Sequence, residues 1–468
     1  MRRRATAQSV GRVAWSVYTA ARDKIEIKIE KESSASLVKI VDSIMGSGKT
    51  TWYMEYVNRY PEQKYIIVVP YIEECNRILE KCGEMGLVQP EAEYMPSKSA
   101  SFHELLRTRH SIVMCHALFA CLKLTEDEIA LIGQERYTLI IDETPPVIEE
   151  LSLNENEIGM LISSGAIQIE EATKHAKWSG GKNYPNIASE AQRELERREY
   201  YYENGSLIWT LPERLITAFA ECMVFTFMFT GTHFEAYLRA KDIGYEVYHL
   251  ADGELAIGEP SLREEKARIR TLLDICDNEK WNRIGEYEPR GRRPFSISWW
   301  KNSKQPDRVR AQKNARCFFQ HYGAKAGEAM WTLPARIHEE KNCGIKDYAS
   351  AFCPCNLRAT NAFRGARYLA YLLDIYEPPV IKNWFAARGQ MTNERVYALN
   401  MLVQWVWRSA VRDGQKIRLY LPSQRMRNIY EWLEIPGDER PKIKNKVREK
   451  TAFQASSLKD KRVKHKEN

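Results

Sequence analysis

The 468-residue sequence predicts an α/β protein of two halves, each a doubly wound parallel sheet. Three observations carry this. Short apolar runs recur along the chain, with amphipathic helical stretches between them. The runs do not alternate apolar with polar residues, which is the pattern of parallel strands covered on both faces. One run, Leu37 to Val41, breaks directly into a glycine-rich turn within "DSIMGSGKTTW", Asp42 to Trp52.

In the first half the strands read as "LVKIV" (37–41), "YIIVVP" (65–70), "SIVMC" (111–115), "TLIID" (138–142) and "MVFTFMF" (223–229). They form a first domain over 37–250. The polar stretch between Glu149 and Cys222 holds "AQRELERREYYYENG" and reads as a helical insertion, about 150–220. A linker over 251–290 leads to a second domain, 291–437. There "FSISWW" (295–300), "YASAFCP" (348–354), "PVIKNWF" (379–385) and "IRLYLP" (417–422) read as strands. No repeat of fixed period is present.

Composition narrows the class. A chain of this length exceeds one ordinary domain, and 44% hydrophobic residues suffice for full cores. No apolar run is long enough to span a bilayer, so the chain reads as soluble. The ten cysteines are scattered, as in reduced, intracellular chains, which points to the cytoplasm. Cys353-Pro-Cys355, with Cys343 upstream, lacks the second close ligand pair of a zinc site. Residues 1–36 form a basic extension with no acid before Asp23, a composition shared by targeting segments and basic surface helices.

The net charge of +8 sits at one end. Residues 440–468 hold eleven Lys/Arg against three Asp/Glu, which accounts for the whole surplus. The segment from 438 onward is poor in apolar residues and reads as a disordered basic tail, either a solvated end or a binder of phosphate backbones.

The glycine turn has a specific chemistry. Gly46 and Gly48 let the backbone wrap an anion at a helix N-terminus, with Ser47 and Thr51 in the same cradle. Lys49 reaches β- and γ-phosphates, and the Thr50 hydroxyl binds Mg²⁺. The position five before Gly48, usually glycine, is Ser43. Downstream, "YTLIIDETPP" ends an apolar strand in Asp142-Glu143. A carboxylate there holds Mg²⁺, and its neighbour orients and deprotonates an attacking water. The bland alternatives are a tight turn that contains a lysine and an acidic strand end.

These residues resemble the superfamily 2 DExx-type helicases, of the compact kind found in phages and prophages. "DSIMGSGKTTW" resembles motif I, "YIIVVPYIEECNRI" motif Ia, and "SIVMCHALF" the segment after it. "IIDETP" resembles motif II, and "MFTGTHFEAYL" motif III with Thr230-Gly231-Thr232. "CPCNLRATNAFRG" resembles motif V and "LVQWVWRSAVRDG" motif VI. The set runs in family order from about Val41 to Pro422. There are departures. In motif VI Trp407 replaces a glycine and Arg412 stands one residue late, so which arginine meets the γ-phosphate stays open. Motif II ends in Thr-Pro.

The resemblance implies two RecA-like domains with ATP and Mg²⁺ between them. The first supplies Lys49, Thr50, Asp142 and Glu143, and the second supplies Gln404, Arg408 and Arg412. The last two, four apart, are expected on one helix face. It further implies nucleic acid, DNA in preference to RNA, lying across both domains. Expected contacts are Pro70-Tyr71, His116 (or a structural histidine), Thr230, Thr360, Asn361 and Arg364, with Thr360 and Arg364 alternatively meeting ATP or coupling the two sites, and Trp299, Trp300, Trp405 and Trp407 as stacking or core residues. Expected, then, is an ATP-hydrolysing helicase or translocase of phage or mobile-element replication or recombination. It acts in the host cytoplasm, away from membranes; the oligomeric state stays open, and a monomer is compatible with it. Two alternatives stand beside it. One is a DNA-packaging motor ATPase, for which Asp374 and Glu377 give no convincing nuclease cluster. The other is an ATP-binding remodelling protein that hardly hydrolyses ATP.

Overall fold

The structure is a computed structural model, and it describes residues 37–83, 86–181, 186–258, 269–286, 293–355 and 362–430. The basic N-terminal extension, the basic tail, Thr360 and Asn361 lie outside the described residues. Three sheets organise the chain. The first contains β1 (Val38–Asp42), β2 (Tyr65–Val69), β3 (Ile112–Cys115), β4 (Thr138–Asp142), β10 (Glu221–Thr226), β11 (Tyr245–Ala251) and β12 (Glu254–Ile257). Its order is β12-β11-β1-β10-β4-β2-β3, parallel throughout except for β12.

Both faces of this sheet are covered, which explains the absence of alternation. Every residue of β2 and β4 is buried. Ile66, Val68, Leu139 and Ile141 enter one core, while Ile67, Val69 and Ile140 enter another with Val41 and Tyr53. The two-residue pleat sends neighbours to opposite cores, and each core requires an apolar side chain.

Register sets three strand ends level. Asp42 pairs with Thr226, and Phe225 pairs with Asp142. The carboxyl ends of β1, β10 and β4 therefore share one rim, where open α/β sheets bind ligands. Asp42, 1% exposed, accepts from the main-chain N–H of Met228 (2.9 Å) and Phe229 (3.0 Å). These bonds hold the chain where Met228 takes a φ of 58°, a left-handed value unfavourable for its side chain. The strand read as 223–229 therefore stops at Thr226.

The second sheet joins β13 (Leu273–Ile275), β14 (Ala329–Thr332), β15 (Tyr368–Tyr371) and β16 (Ile417–Tyr420), all parallel, in the order β13-β16-β15-β14. Only "IRLYLP" of the four expected strands is one. "FSISWW" enters the helix Ile297–Asn302, with Ser296 capping the N–H of Trp299. "PVIKNWF" lies in the helix Pro379–Ala387, where proline at the first position suits a helix start. "YASAFCP" begins in a 3₁₀ turn over Lys346–Ala351. Short buried apolar runs serve helices and strands alike, and flanking Ser and Pro decide between them.

The insertion is also corrected. It keeps the helices Glu155–Ser163 and Asn186–Arg197, but its frame is an antiparallel sheet. The strands are β5 (Ile148–Glu150), β6 (Ile167–Ile169), β7 (His175–Trp178), β8 (Tyr200–Glu203) and β9 (Ser206–Thr210), in the order β5-β9-β8-β7-β6. Asn204 and Gly205, both at positive φ, make the two-residue hairpin turn between β8 and β9. In the stretch expected to be a linker, β12 pairs with β11 and β13 pairs with β16. No helix among the described residues is long and apolar enough to cross a membrane.

The two parallel-sheet lobes share a core. Ile44, Phe227 and Met228 of the first pack with Leu399, Leu402, Val403, Val406 and Trp407 of the second. Asn393 N–H donates to the Gly231 carbonyl (2.9 Å), and Asn400 donates to that of Phe227 (3.2 Å). Gly231 takes a left-handed φ of 84° and is closely fitted, since an added Cβ would lie 3.0 Å from Cβ of Asn393.

Asp42→Ala is expected to lower unfolding free energy by about 3 kcal/mol, since two buried N–H groups lose a charged acceptor. Asp42→Asn, which keeps one accepting oxygen, should lose less. Urea denaturation of both variants measures the difference.

Candidate active site

The loop after β1 is tied at its root. Ser43 N–H donates to the Thr226 carbonyl (3.0 Å), and Ser43 Oγ accepts from Leu250 N–H (2.8 Å). Gly46 and Gly48 sit at φ 80° and 90°, where a side chain would be strained. Gly48 caps the helix Lys49–Arg59, whose first N–H groups face the loop. Lys49 Nζ is turned inward, donating to the carbonyls of Ser43 and Ile44 (2.9 Å for Ile44).

Beside the loop, at the end of β4, the Asp142 carboxylate accepts on Oδ2 from Thr50 Oγ1 (2.8 Å) and Tyr53 OH (2.9 Å). Burial, and then the Asp142 carboxylate, push the Tyr53 hydroxyl well above its ordinary pKa, so it stays a proton donor. The main-chain oxygen of Asp142 accepts from Nε2 of His116 (2.9 Å). Glu143 takes a φ of 59° while its N–H donates to the Phe225 carbonyl (2.8 Å). A glutamate in this region is an outlier, and such outliers gather where a side chain must be aimed.

The second lobe closes over this rim. Gln404 lies on the helix Glu394–Val406, which ends before Trp407. Ser409 then caps a 3₁₀ turn, Ala410–Asp413. The single helical face expected for Arg408 and Arg412 is therefore broken. Even so, both line a cleft of about 400 Å³ with Gln404 and Trp407. Its other wall is Gly46, Gly48, Lys49, Thr50, Thr51, Asp142 and Glu143, with Pro70, Glu74 and Arg77 at the side. Ser47 is in the loop, with its hydroxyl buried.

The arginines differ. Arg408 is buried, and its guanidinium donates to the carbonyls of Pro354 (3.0 Å) and Cys355 (3.1 Å). Arg412 is exposed at the cleft. Its neighbour Asp413 is gripped by Arg364 through two bonds, 2.7 and 2.6 Å.

Sequence reasoning missed Tyr53, three residues past Thr50 on the same helix face, and missed Glu74 and Arg77. It also missed Asp42, whose position directly before the loop gave no hint of its two main-chain bonds.

The expected nucleic-acid residues are dispersed. Tyr71 and His116 border a second cavity of about 340 Å³, with Arg197 and Arg198 of the insertion across it. Arg198 is held by Glu149 and Glu194. Thr230 and Arg364 line neither cavity, and His116 is buried. Trp299, Trp300 and Trp405 are core residues, closed to base stacking. Burial pushes the Cys355 thiol up to about 11, which disfavours a metal-binding thiolate. Asp374 pairs with Arg425, while Glu377 accepts from Thr392 and His233, so neither belongs to a nuclease cluster.

Thr50 and Asp142 suit a divalent cation, because a hydroxyl and a carboxylate already meet on one oxygen beside the phosphate loop. Arg408→Ala is expected to cost about 2 kcal/mol by leaving two half-buried carbonyls without their donor, whereas Arg412→Ala should fall within about 0.5 kcal/mol of the parent. Unfolding midpoints of the two variants separate the scaffold arginine from the cleft arginine.

Comparison with known proteins gives the following. A family model described as the YonV C-terminal Rossmann-like domain matches residues 267–433. The SPbeta prophage-derived uncharacterized protein YonV of Bacillus subtilis (strain 168) is 29% identical over 418 residues, spanning 85% of this chain and 98% of that protein. Among solved structures, one titled XPD_Helicase is similar at 12% identity and a TM-score of 0.43, covering 85% of this chain and 94% of its own. The structure of S. tokodaii Xpd4 is similar at 13% identity and a TM-score of 0.39, covering 86% and 94%. The DUF1998 helicase MrfA bound to DNA and AMPPNP is similar at 10% identity and a TM-score of 0.31, covering 87% and 48%.

Proposed function

We propose that this protein is an ATP-hydrolysing helicase or translocase of the superfamily 2 DExx type, driven from the cleft between its lobes. One observation carries the reading. The phosphate-loop lysine, the Asp142-Glu143 pair and Arg412 come from separated segments and two lobes, yet line one cavity.

In this reading Lys49 leaves the carbonyls of Ser43 and Ile44 and moves onto the β- and γ-phosphates of ATP. Thr50 and Asp142 hold Mg²⁺, which when bound neutralises charge on the phosphates. Tyr53 keeps the Asp142 carboxylate oriented. Glu143 positions a water and takes its proton as the water oxygen bonds to the γ-phosphorus. The bond from that phosphorus to the β-bridging oxygen breaks, and ADP and phosphate leave. Arg412 stabilises the charge on the transferring group from the opposite lobe. Because the set is complete only with both lobes in place, nucleotide state changes how tightly they close.

The nucleic acid is DNA in preference to RNA, aided by the basic segment 438–468. The prophage origin of the similar Bacillus subtilis protein supports a mobile-element setting in a host cytoplasm.

ATP turnover, measured without nucleic acid and with single- or double-stranded DNA or RNA, tests the proposal. Stimulation by one of these classes is expected, and none with any class would count against it. Glu143→Gln should abolish stimulated turnover, and Arg412→Ala should lower it about 10³-fold. Parental turnover in either variant removes that residue from its role.

A further inference from the structure

The residue that departs most from the family pattern in the second lobe is Trp407. It is 7% exposed, and its ring is fixed in the shared core with Val403 and Val406. Yet its indole N–H has no hydrogen-bond partner among the described residues. Three other buried tryptophans in this lobe are satisfied: Trp300 donates to Leu372, Trp331 to Tyr348 and Trp405 to Cys353. Buried donors are almost always paired, and no described residue accepts from this one.

Its direction identifies the partner. Nε1 lies 4.0 Å from where a Cβ on Gly46 would stand, facing the phosphate loop. The next loop residue, Ser47, also has a buried hydroxyl with no partner among the described residues. Partnerless donors of the two lobes thus stand beside one glycine, Ser47 next to it in the chain and Trp407 across from it, and no described residue accepts from either. The neighbouring cation, Arg408, is engaged with the carbonyls of Pro354 and Cys355.

We infer that the Trp407 indole N–H is a direct ligand of the terminal phosphate of a nucleoside triphosphate. It takes the place beside the phosphates that an arginine at 408 does not fill. The inference rests on the ATP reading above and deepens it. Lys49 and the loop amides grip the inner phosphates from one side. The outermost phosphate meets the second lobe, where a neutral, rigidly packed donor reads its oxygen. When the phosphates draw Lys49 off its own loop, Gly46 moves away from the indole and an anionic oxygen replaces it. Trp407 thereby distinguishes triphosphate from diphosphate and reports the difference to the lobe that moves.

The test is calorimetric binding of Mg²⁺ with a non-hydrolysable ATP analogue, and separately with ADP, to the full chain and to Trp407→Phe. Phenylalanine keeps an aromatic ring in the core and removes the donor together with one ring of the indole, a packing change that the ADP arm of the experiment shares. The expected result is about tenfold weaker analogue binding, the loss of one hydrogen bond to a charged acceptor, with ADP within about twofold of the parent. Equal affinities of parent and variant for the analogue overturn the inference and leave the ATP reading standing. A parent chain that binds neither nucleotide overturns both. Should the variant fail to fold, the parent labelled at indole nitrogen carries the test. One indole resonance must move downfield with the analogue and not with ADP, and its failure to do so overturns the inference.

Discussion

Parallel pairing across β1, β10 and β4 fixes where everything else in the site can be. Asp42 stands opposite Thr226, and Phe225 opposite Asp142, so the glycine loop and the acidic pair emerge at one rim. A slip of one residue would send Asp142 to the other face and break its bonds with Thr50 and Tyr53. The two apolar cores that cover the sheet resist such a slip, because each strand residue already has an assigned side. Stability of the fold and aim of the carboxylates are therefore one constraint. At the rim the backbone is strained at Glu143 and Met228, and the surrounding bonds to Phe225 and Asp42 hold that strain in place.

The second lobe is joined to the first at the same rim. Residues next to the phosphate loop, Ile44, Phe227 and Met228, are part of the core that carries Trp407 and Val406. The loop is thus linked to the second lobe through packed side chains and through the Asn393–Gly231 and Asn400–Phe227 bonds. His233, just past the Thr230-Gly231-Thr232 segment, adds a bond to buried Glu377 (3.0 Å) and stacks on Tyr397. These contacts would give the proposed nucleotide at the loop a physical route to the opposite lobe.

Much of the first lobe was legible in the sequence because its chemistry is local. Two glycines, Lys49 and Thr50 sit within five residues, and Asp142-Glu143 ends a run with no alternation. The second lobe was harder to read. Phe295–Trp300 and Pro379–Phe385 are short apolar runs whose strand-like composition is overruled by a serine cap and a proline start. The Asn204-Gly205 pair was a readable hairpin signal inside a segment taken as helical. The spacing of Arg408 and Arg412 implied one helix face, but the helix stops at Val406, and burial divides the two arginines between scaffold and cleft. Tyr53 and Trp407 were out of reach for another reason. Their meaning lies in Asp142 and Gly46, residues that only the tertiary fold brings beside them.

The central claim, that one triphosphate is held by both lobes at once, is tested most directly by hydrogen exchange of the full chain with and without a Mg²⁺-bound ATP analogue. Slower exchange is expected in two separate segments together, the loop and helix start at 43–52 and the second-lobe segment at 404–414. Protection confined to the first segment, or absent from both, contradicts it.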